Sequence, residues 1–220
     1  MYYFFAFILL VITNVSFAQD NSKKEGLMTN YASFIMYHRF GENRYPSTNI
    51  KKEQFLKHIN ELLKPKYNVI NIKQALDAIN NKKLVKDRSL VITIDDAYSS
   101  VFNYAWPIFK KHNIPFTLFV STDVIDNNTP GYMSWEEIRI LRDNGITIGS
   151  QTKSHPHMYK LNRQKIISEL SMSNKRFVDE IGSQPKIFAY PYGEYNLEVL
   201  EQVKLHGFEA AFGQHSGVAH

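Results

Sequence analysis

The run from Ser89 to Tyr98, Ser-Leu-Val-Ile-Thr-Ile-Asp-Asp-Ala-Tyr, restricts the fold more than any other part of this chain. Leu90, Val91, Ile92 and Ile94 make a nearly continuous apolar stretch rich in β-branched residues, the pattern of a strand covered on both faces in a parallel sheet. That strand ends in two adjacent carboxylates, Asp95 and Asp96. Two negative charges a few Å apart repel each other, and both resist leaving water. A bound cation is the simplest compensation, with one carboxylate as ligand and the other free to move a proton. Solvated loop aspartates, or a helix cap ahead of Ser99 and Ser100, are the alternative.

Strand and helix signals alternate along the rest of the chain. Phe34–Tyr37 predicts a first strand that delivers His38, and Phe55, Ile59 and Leu62 are spaced for the buried face of a helix from about Ile50 to Leu63. A short strand over Asn68–Ile72 and a short helix over Lys73–Ile79 precede the central run. Val101, Tyr104, Ala105 and Ile108 then recur at helical spacing, with Pro107 predicting a kink. Strands are predicted over Pro115–Val120, Ile146–Gly149, Lys186–Tyr190 and Phe208–Phe212. Helices between them are marked by the Ser134-x-x-Glu137 capping box, by Asn162–Ile181 closed by Gly182, and by Asn196–His206. Such alternation predicts parallel strands joined by crossover helices, in a doubly wound sheet or a barrel. Asp95 and Asp96, His155, Tyr192 and His215 each follow a different strand. Polar residues gathered from several strand ends onto one face favour the (β/α) barrel.

At 220 residues, 44 % of them hydrophobic and 14 % aromatic, the chain can fill one substantial core. The apolar run Tyr2–Ile12, followed by Ser16-Phe17-Ala18, reads as a signal peptide over residues 1–18, with a linker over 19–33 and one domain over 34–220. The run is short against the roughly 20 residues of a membrane span, so none is expected after cleavage. No cysteine is present, so no disulfide or thiolate ligand is available and any metal site must use His, Asp, Glu or an amide oxygen. The net charge of +5 is spread over lysine-rich helix faces. With no basic stripe interleaved with aromatics, a nucleic-acid partner is not expected.

Three short motifs stand after successive predicted strands: Thr93-Ile94-Asp95-Asp96, Gln151-Thr152-Lys153-Ser154-His155-Pro156 and Ala189-Tyr190-Pro191-Tyr192-Gly193. In order and spacing they resemble the Thr-Phe-Asp-Asp, His-Thr-x-x-His-Pro and Arg-x-Pro-Tyr-Gly motifs of the polysaccharide deacetylase family, carbohydrate esterase family four with its NodB-homology domain. Met36-Tyr37-His38 also looks like the first strand of many members. The resemblance implies a distorted (β/α) barrel and a metal-dependent hydrolase that removes N-acetyl groups from amino sugars of an N-acetylglucosamine polymer. By position it makes Asp95 the general base and Asp96 and His155 metal ligands, with zinc the expected ion and cobalt or manganese as alternatives. Pro191 and Tyr192 belong to the substrate groove, joined by His38 and Tyr98 as expected substrate contacts.

Three departures bear on that reading. Gln151 replaces the first motif histidine, a poorer donor to zinc than imidazole, so His157, His38 or His215 is a candidate to complete the ligand set beside it. Ala189 replaces the motif arginine that orients the base. The late motif with its general-acid histidine is not visible, so the barrel is expected to be incomplete at its C-terminus, with His215 the residue that could take the acid role. The expected setting is the periplasm, the cell envelope or the exterior, with a polysaccharide as partner. The alternative is a catalytically impaired, carbohydrate-binding relative that keeps the groove.

Overall fold

The computed structural model describes residues 27–80 and 82–214 and the backbone of 218–219. The expected signal peptide and His215 lie outside the described residues. The chain begins with β1 (Met28–Thr29), β2 (Ala32–Tyr37), β3 (Arg39–Phe40), β4 (Asn49–Ile50), α1 (Lys52–Leu62), β5 (Asn68–Val69), α2 (Ile72–Ile79) and β6 (Val85–Lys86). The central run forms β7 (Ser89–Ile94), followed by α3 (Trp106–Lys111), β8 (Thr117–Val120), α4 (Thr122–Asp126), α5 (Trp135–Asp143) and β9 (Thr147–Ser150). Then come α6 (Arg163–Ile181), β10 (Ile187–Ala189), α7 (Leu197–Leu205), β11 (Ala210–Phe212) and β12 (Val218–Ala219).

The main sheet has the order β11-β10-β9-β8-β7-β2-β12, with β5 beside the start of β7. All its pairs are parallel except β12 on β2. It is curled: the Phe212 ring on β11 packs 5.3 Å from Phe34 on β2 and 5.7 Å from Phe119 on β8, although four strands separate β11 from β2 in the sheet order. Among the described residues no pairing joins β11 to β12, so the sheet is an open half-barrel.

Period-two alternation assigns the faces. Ile92, Ile94, Leu118, Val120 and Ile148 face outward and pack with Phe55 and Ile59 of α1, Phe109 of α3, and Ile138 and Leu141 of α5. Val91, Phe119, Ile187 and Ala189 face inward with Phe34 and Phe212, and Ala75 and Ala78 of α2 belong to the same cluster. Gly149 is inward on β9, where an added Cβ would lie 2.4 Å from the Phe119 ring, so only glycine admits that ring. Continuing the inward set to the C-terminal strand ends gives His38, Asp95, Ser121 and Gln151.

Several local expectations gain detail. The segment after β7 opens as a π-helical turn, Val101–Ala105, and passes into α3 where Pro107 removes a backbone donor. The Ser134/Glu137 capping box forms, with Ser134 Oγ accepting from Glu137 N–H at 3.2 Å, and Gly182 ends α6 at φ 76°. β2 opens at Ala32, and β1, antiparallel to β6, occupies residues within the expected linker.

Candidate active site

A cavity of about 620 Å3 stands over the C-terminal strand ends, with His38, Asp96, Tyr98, Gln151, His155 and Tyr192 in its wall. Next to its lining residues His38 and Gln151 lies Asp95, which is 4 % exposed and anchored by its N–H to the Tyr37 carbonyl at 2.9 Å. Burial, and then the charge of Asp96, push the Asp95 carboxyl up from 3.8 to about 8. Gln151 opposes that rise by donating from Nε2 to Asp95 Oδ2 at 3.4 Å, while its Oε1 accepts from the Asp96 N–H at 3.3 Å. Gln151 therefore spans both carboxylates.

Asp96 leaves the strand in the left-handed region, as do Ala97, Thr152, His155 and Tyr192, with φ between 52° and 72°. Five of the eight such non-glycine residues described thus sit at one end of the barrel. Each costs on the order of 1 kcal/mol in an L-residue, strain that a fold keeps where it must aim side chains. The turn carrying His155 is held from α6: Glu169 accepts from the N–H of Lys153 at 3.1 Å and of Ser154 at 2.8 Å. The His155 N–H itself donates to Thr152 Oγ1 at 3.0 Å. His155 Nε2 comes to 3.5 Å from Asp96 Oδ1, and His38 Nε2 to 4.0 Å from Asp95 Oδ2. Burial lowers the pKa of both imidazoles against the opposing pull of Asp96.

The remaining expected residues take the rim. Tyr192 lies edge-on to His155 at 4.6 Å and stacks on His157 at 4.0 Å. His157 Nδ1 is 2.6 Å from Glu194 Oε2, so that histidine is paired at the rim and not gathered with Asp96. Pro191 is buried beneath the rim. Tyr98 is buried in the wall, its ring 4.8 Å from Tyr132 and only 3.3 Å from the Arg39 guanidinium carbon. Gly193 lets Gln214 approach, since a Cβ there would meet the Gln214 backbone N at 2.6 Å. Sequence reasoning passed over Ser121 and Gln214, which line the cavity, and Glu194, the partner of His157. Ser121 was recoverable from strand parity; nothing local marks the other two.

A family model described as polysaccharide deacetylase matches residues 82–211, the span holding Asp95, Asp96, Gln151, His155 and Tyr192. The chain belongs to the polysaccharide deacetylase family. It is 27 % identical over 185 residues to YxkH of Bacillus subtilis, a candidate polysaccharide deacetylase by name, covering 84 % of this chain and 65 % of that one. A poly-β-1,6-N-acetyl-D-glucosamine N-deacetylase of Staphylococcus aureus is 25 % identical over 195 residues, 83 % of this chain and 67 % of its own. This chain thus spans about two thirds of the length of either relative. A solved de-N-acetylase from Aggregatibacter actinomycetemcomitans matches with TM-score 0.76 at 22 % identity, over 86 % of this chain and 90 % of that one. That likeness is one of fold: a deacetylase half-barrel.

The divalent cation implied by the deacetylase family fits two donors. Ligands on one tetrahedral ion with bonds of about 2.1 Å stand about 3.4 Å apart, close to the 3.5 Å between Asp96 Oδ1 and His155 Nε2. Among the described residues no group of three or more His, Cys, Asp or Glu surrounds such a point. The Gln151 amide is already engaged on both sides. Ala189, in the position of the deacetylase motif arginine, lies on the inward face that Asp95 shares.

Proposed function

We propose that this chain is an exported polysaccharide N-deacetylase, hydrolysing the acetamide of N-acetylhexosamine units in an N-acetylglucosamine polymer. The observation that carries the reading is Asp95, a buried carboxylate in contact with the cavity-lining Gln151 and next in sequence to Asp96, which converges with His155 in the cavity wall. Family membership supports the reaction class. The acid-rich, imidazole-bearing floor supplies the groups that acyl transfer to water requires.

Asp96 and His155 would hold the divalent cation, which when bound polarises the acetamide carbonyl and makes water a stronger nucleophile at neutral pH. The chain's own residues divide the rest of the work. Asp95 takes a proton as the water oxygen bonds to the carbonyl carbon. It does so ionised, and neutralising Asp96 removes one of the two causes that hold its proton on. Gln151 fixes the Asp95 carboxylate by its 3.4 Å hydrogen bond, taking over part of the orientation that an arginine at Ala189 would give. The backbone N–H of Tyr192 is assigned to the developing oxyanion. Breaking the C–N bond releases acetate and needs a proton on the sugar nitrogen. His38, 4.0 Å from Asp95 Oδ2 and with its pKa lowered by burial, is the imidazole assigned to carry that proton across. His215, the acid expected from sequence, lies outside the described residues.

The test is acetate release from N-acetylglucosamine oligomers by the metal-loaded protein. Asp95→Asn is expected to lower the rate by about 10²–10⁴-fold, the usual worth of a general base, with the protein still folded. Absence of acetate from the wild type on β-1,4- and β-1,6-linked oligomers alike overturns the assignment. A second reading, saccharide binding without hydrolysis, is favoured by Ala189, which puts no cation on the inward face where the family motif has its arginine. Oligomer binding with no acetate released supports it.

A further inference from the structure

A second groove, of about 520 Å3, is lined by Tyr159, Gly193, Glu194 and Tyr195. It is joined to the catalytic cavity through side chains: Tyr192 lines the cavity and stacks on His157, and His157 holds Glu194. Tyr159 and Tyr195 are 40 % and 46 % exposed, Tyr195 stacking one ring face on Tyr190 at 4.7 Å, and the Glu194 side chain keeps 39 % of its surface open beyond the His157 contact. Exposed tyrosine faces beside a carboxylate suit a sugar ring that bears a positive charge. Lys160 Nζ sits 5.4 Å from the Tyr159 centroid, so a ring of this groove is within cation–π reach of an ammonium.

Glu194 thus sets a half-buried carboxylate, paired on one side with His157, among exposed aromatic rings. In the polymer assumed above, neighbouring units differ at one atom group, a neutral acetamide before reaction and an ammonium after it. Glu194 is placed to read that difference, since a carboxylate accepts from an ammonium far better than from an amide N–H. We propose that this groove seats a hexosamine unit that has already lost its acetyl group, with Glu194 accepting from its ammonium, while the adjacent unit occupies the catalytic cavity. The inference rests on the deacetylase reading. It adds a direction to it: deacetylation next to an existing free amine is favoured, so products carry runs of glucosamine.

The experiment compares a fully acetylated oligomer with one of equal length bearing a single free amine beside the target unit, at about pH 6 where an amino sugar is protonated. Wild type is expected to favour the amine-bearing oligomer about fivefold in kcat/KM, the scale of a partly exposed ion pair. Glu194→Gln should abolish the preference, read as the ratio of kcat/KM for the two oligomers within the variant. His157→Gln, which removes the internal partner but keeps the carboxylate, should retain the preference. An equal ratio in wild type and Glu194→Gln, or a wild-type preference for the acetylated oligomer, overturns the proposal. Binding of a glucosamine oligomer, followed by NMR line broadening, decides the matter independently of turnover: loss in Glu194→Gln supports the groove, and equal binding refutes it. No acetate from any oligomer defeats the deacetylase reading instead.

Discussion

Gln151 carries the most information of any single residue here. In the family motif its place belongs to a metal histidine, and the neutral amide instead bridges the two acids, donating to Asp95 and accepting from the Asp96 N–H. Asp95 is pushed to about 8 by burial and by Asp96, against the opposing Gln151 hydrogen bond. The sign of the resulting pH dependence is unusual for a carboxylate. Between about pH 4 and 8 the folded, ion-free protein keeps a proton on Asp95 that the unfolded chain has released, so this group's contribution to stability falls as pH rises through that window. Asp95→Asn is expected to stabilise the ion-free protein at pH 8 by on the order of 1–3 kcal/mol, the cost of an ill-compensated buried polar group, and to flatten the decline. Thermal melts of both proteins at the two ends of the window measure it; an unchanged slope in Asp95→Asn contradicts the assignment.

At the scale of elements, function depends on turns that start from the inward face. Strand parity puts His38, Asp95, Ser121 and Gln151 in one ring, and left-handed turns then add Asp96 and His155. The ring survives only while β8 and β9 keep their close packing. Gly149→Ala would drive a Cβ into the Phe119 ring and is expected to cost about 1–3 kcal/mol, as overpacking of a filled core does. Chemical denaturation measures this, and a variant of wild-type stability contradicts it. The long elements were legible because their signals are local: the apolar run of β7, the capping box of α5 and the αL glycine ending α6. The two-residue strands β1, β3, β4 and β6 were not, since each is too short for periodicity and is defined by a partner distant in sequence or by a turn. The five-residue α4 escaped for the same reason, and its place is set by Thr122 and Asp123 donating to the carbonyls of Thr152 and Lys153.

For the whole molecule, alternation of strands and helices implied a parallel sheet, and polar residues at strand ends implied a barrel. The curl itself is a matter of long-range packing, sealed where Phe212 meets Phe34 and Phe119 across the interior. Of the motif residues, Asp96, Gln151, His155 and Tyr192 line the cavity. The motifs could not foretell that His157 turns to Glu194, because that pairing depends on how the loop after β9 passes the one after β10. Among the described residues no helix is long and apolar enough to cross a membrane. The proposed hydrolysis requires that donors from two strand ends, Asp96 after β7 and His155 after β9, seat a divalent ion. Equilibrium titration of the ion-free protein with cobalt, read by its visible absorption and checked by calorimetry, measures that directly. One ion per chain, lost in both Asp96→Asn and His155→Ala while Asp95→Asn still binds, is the predicted result. No binding by the folded wild type, or binding indifferent to Asp96→Asn, would contradict it.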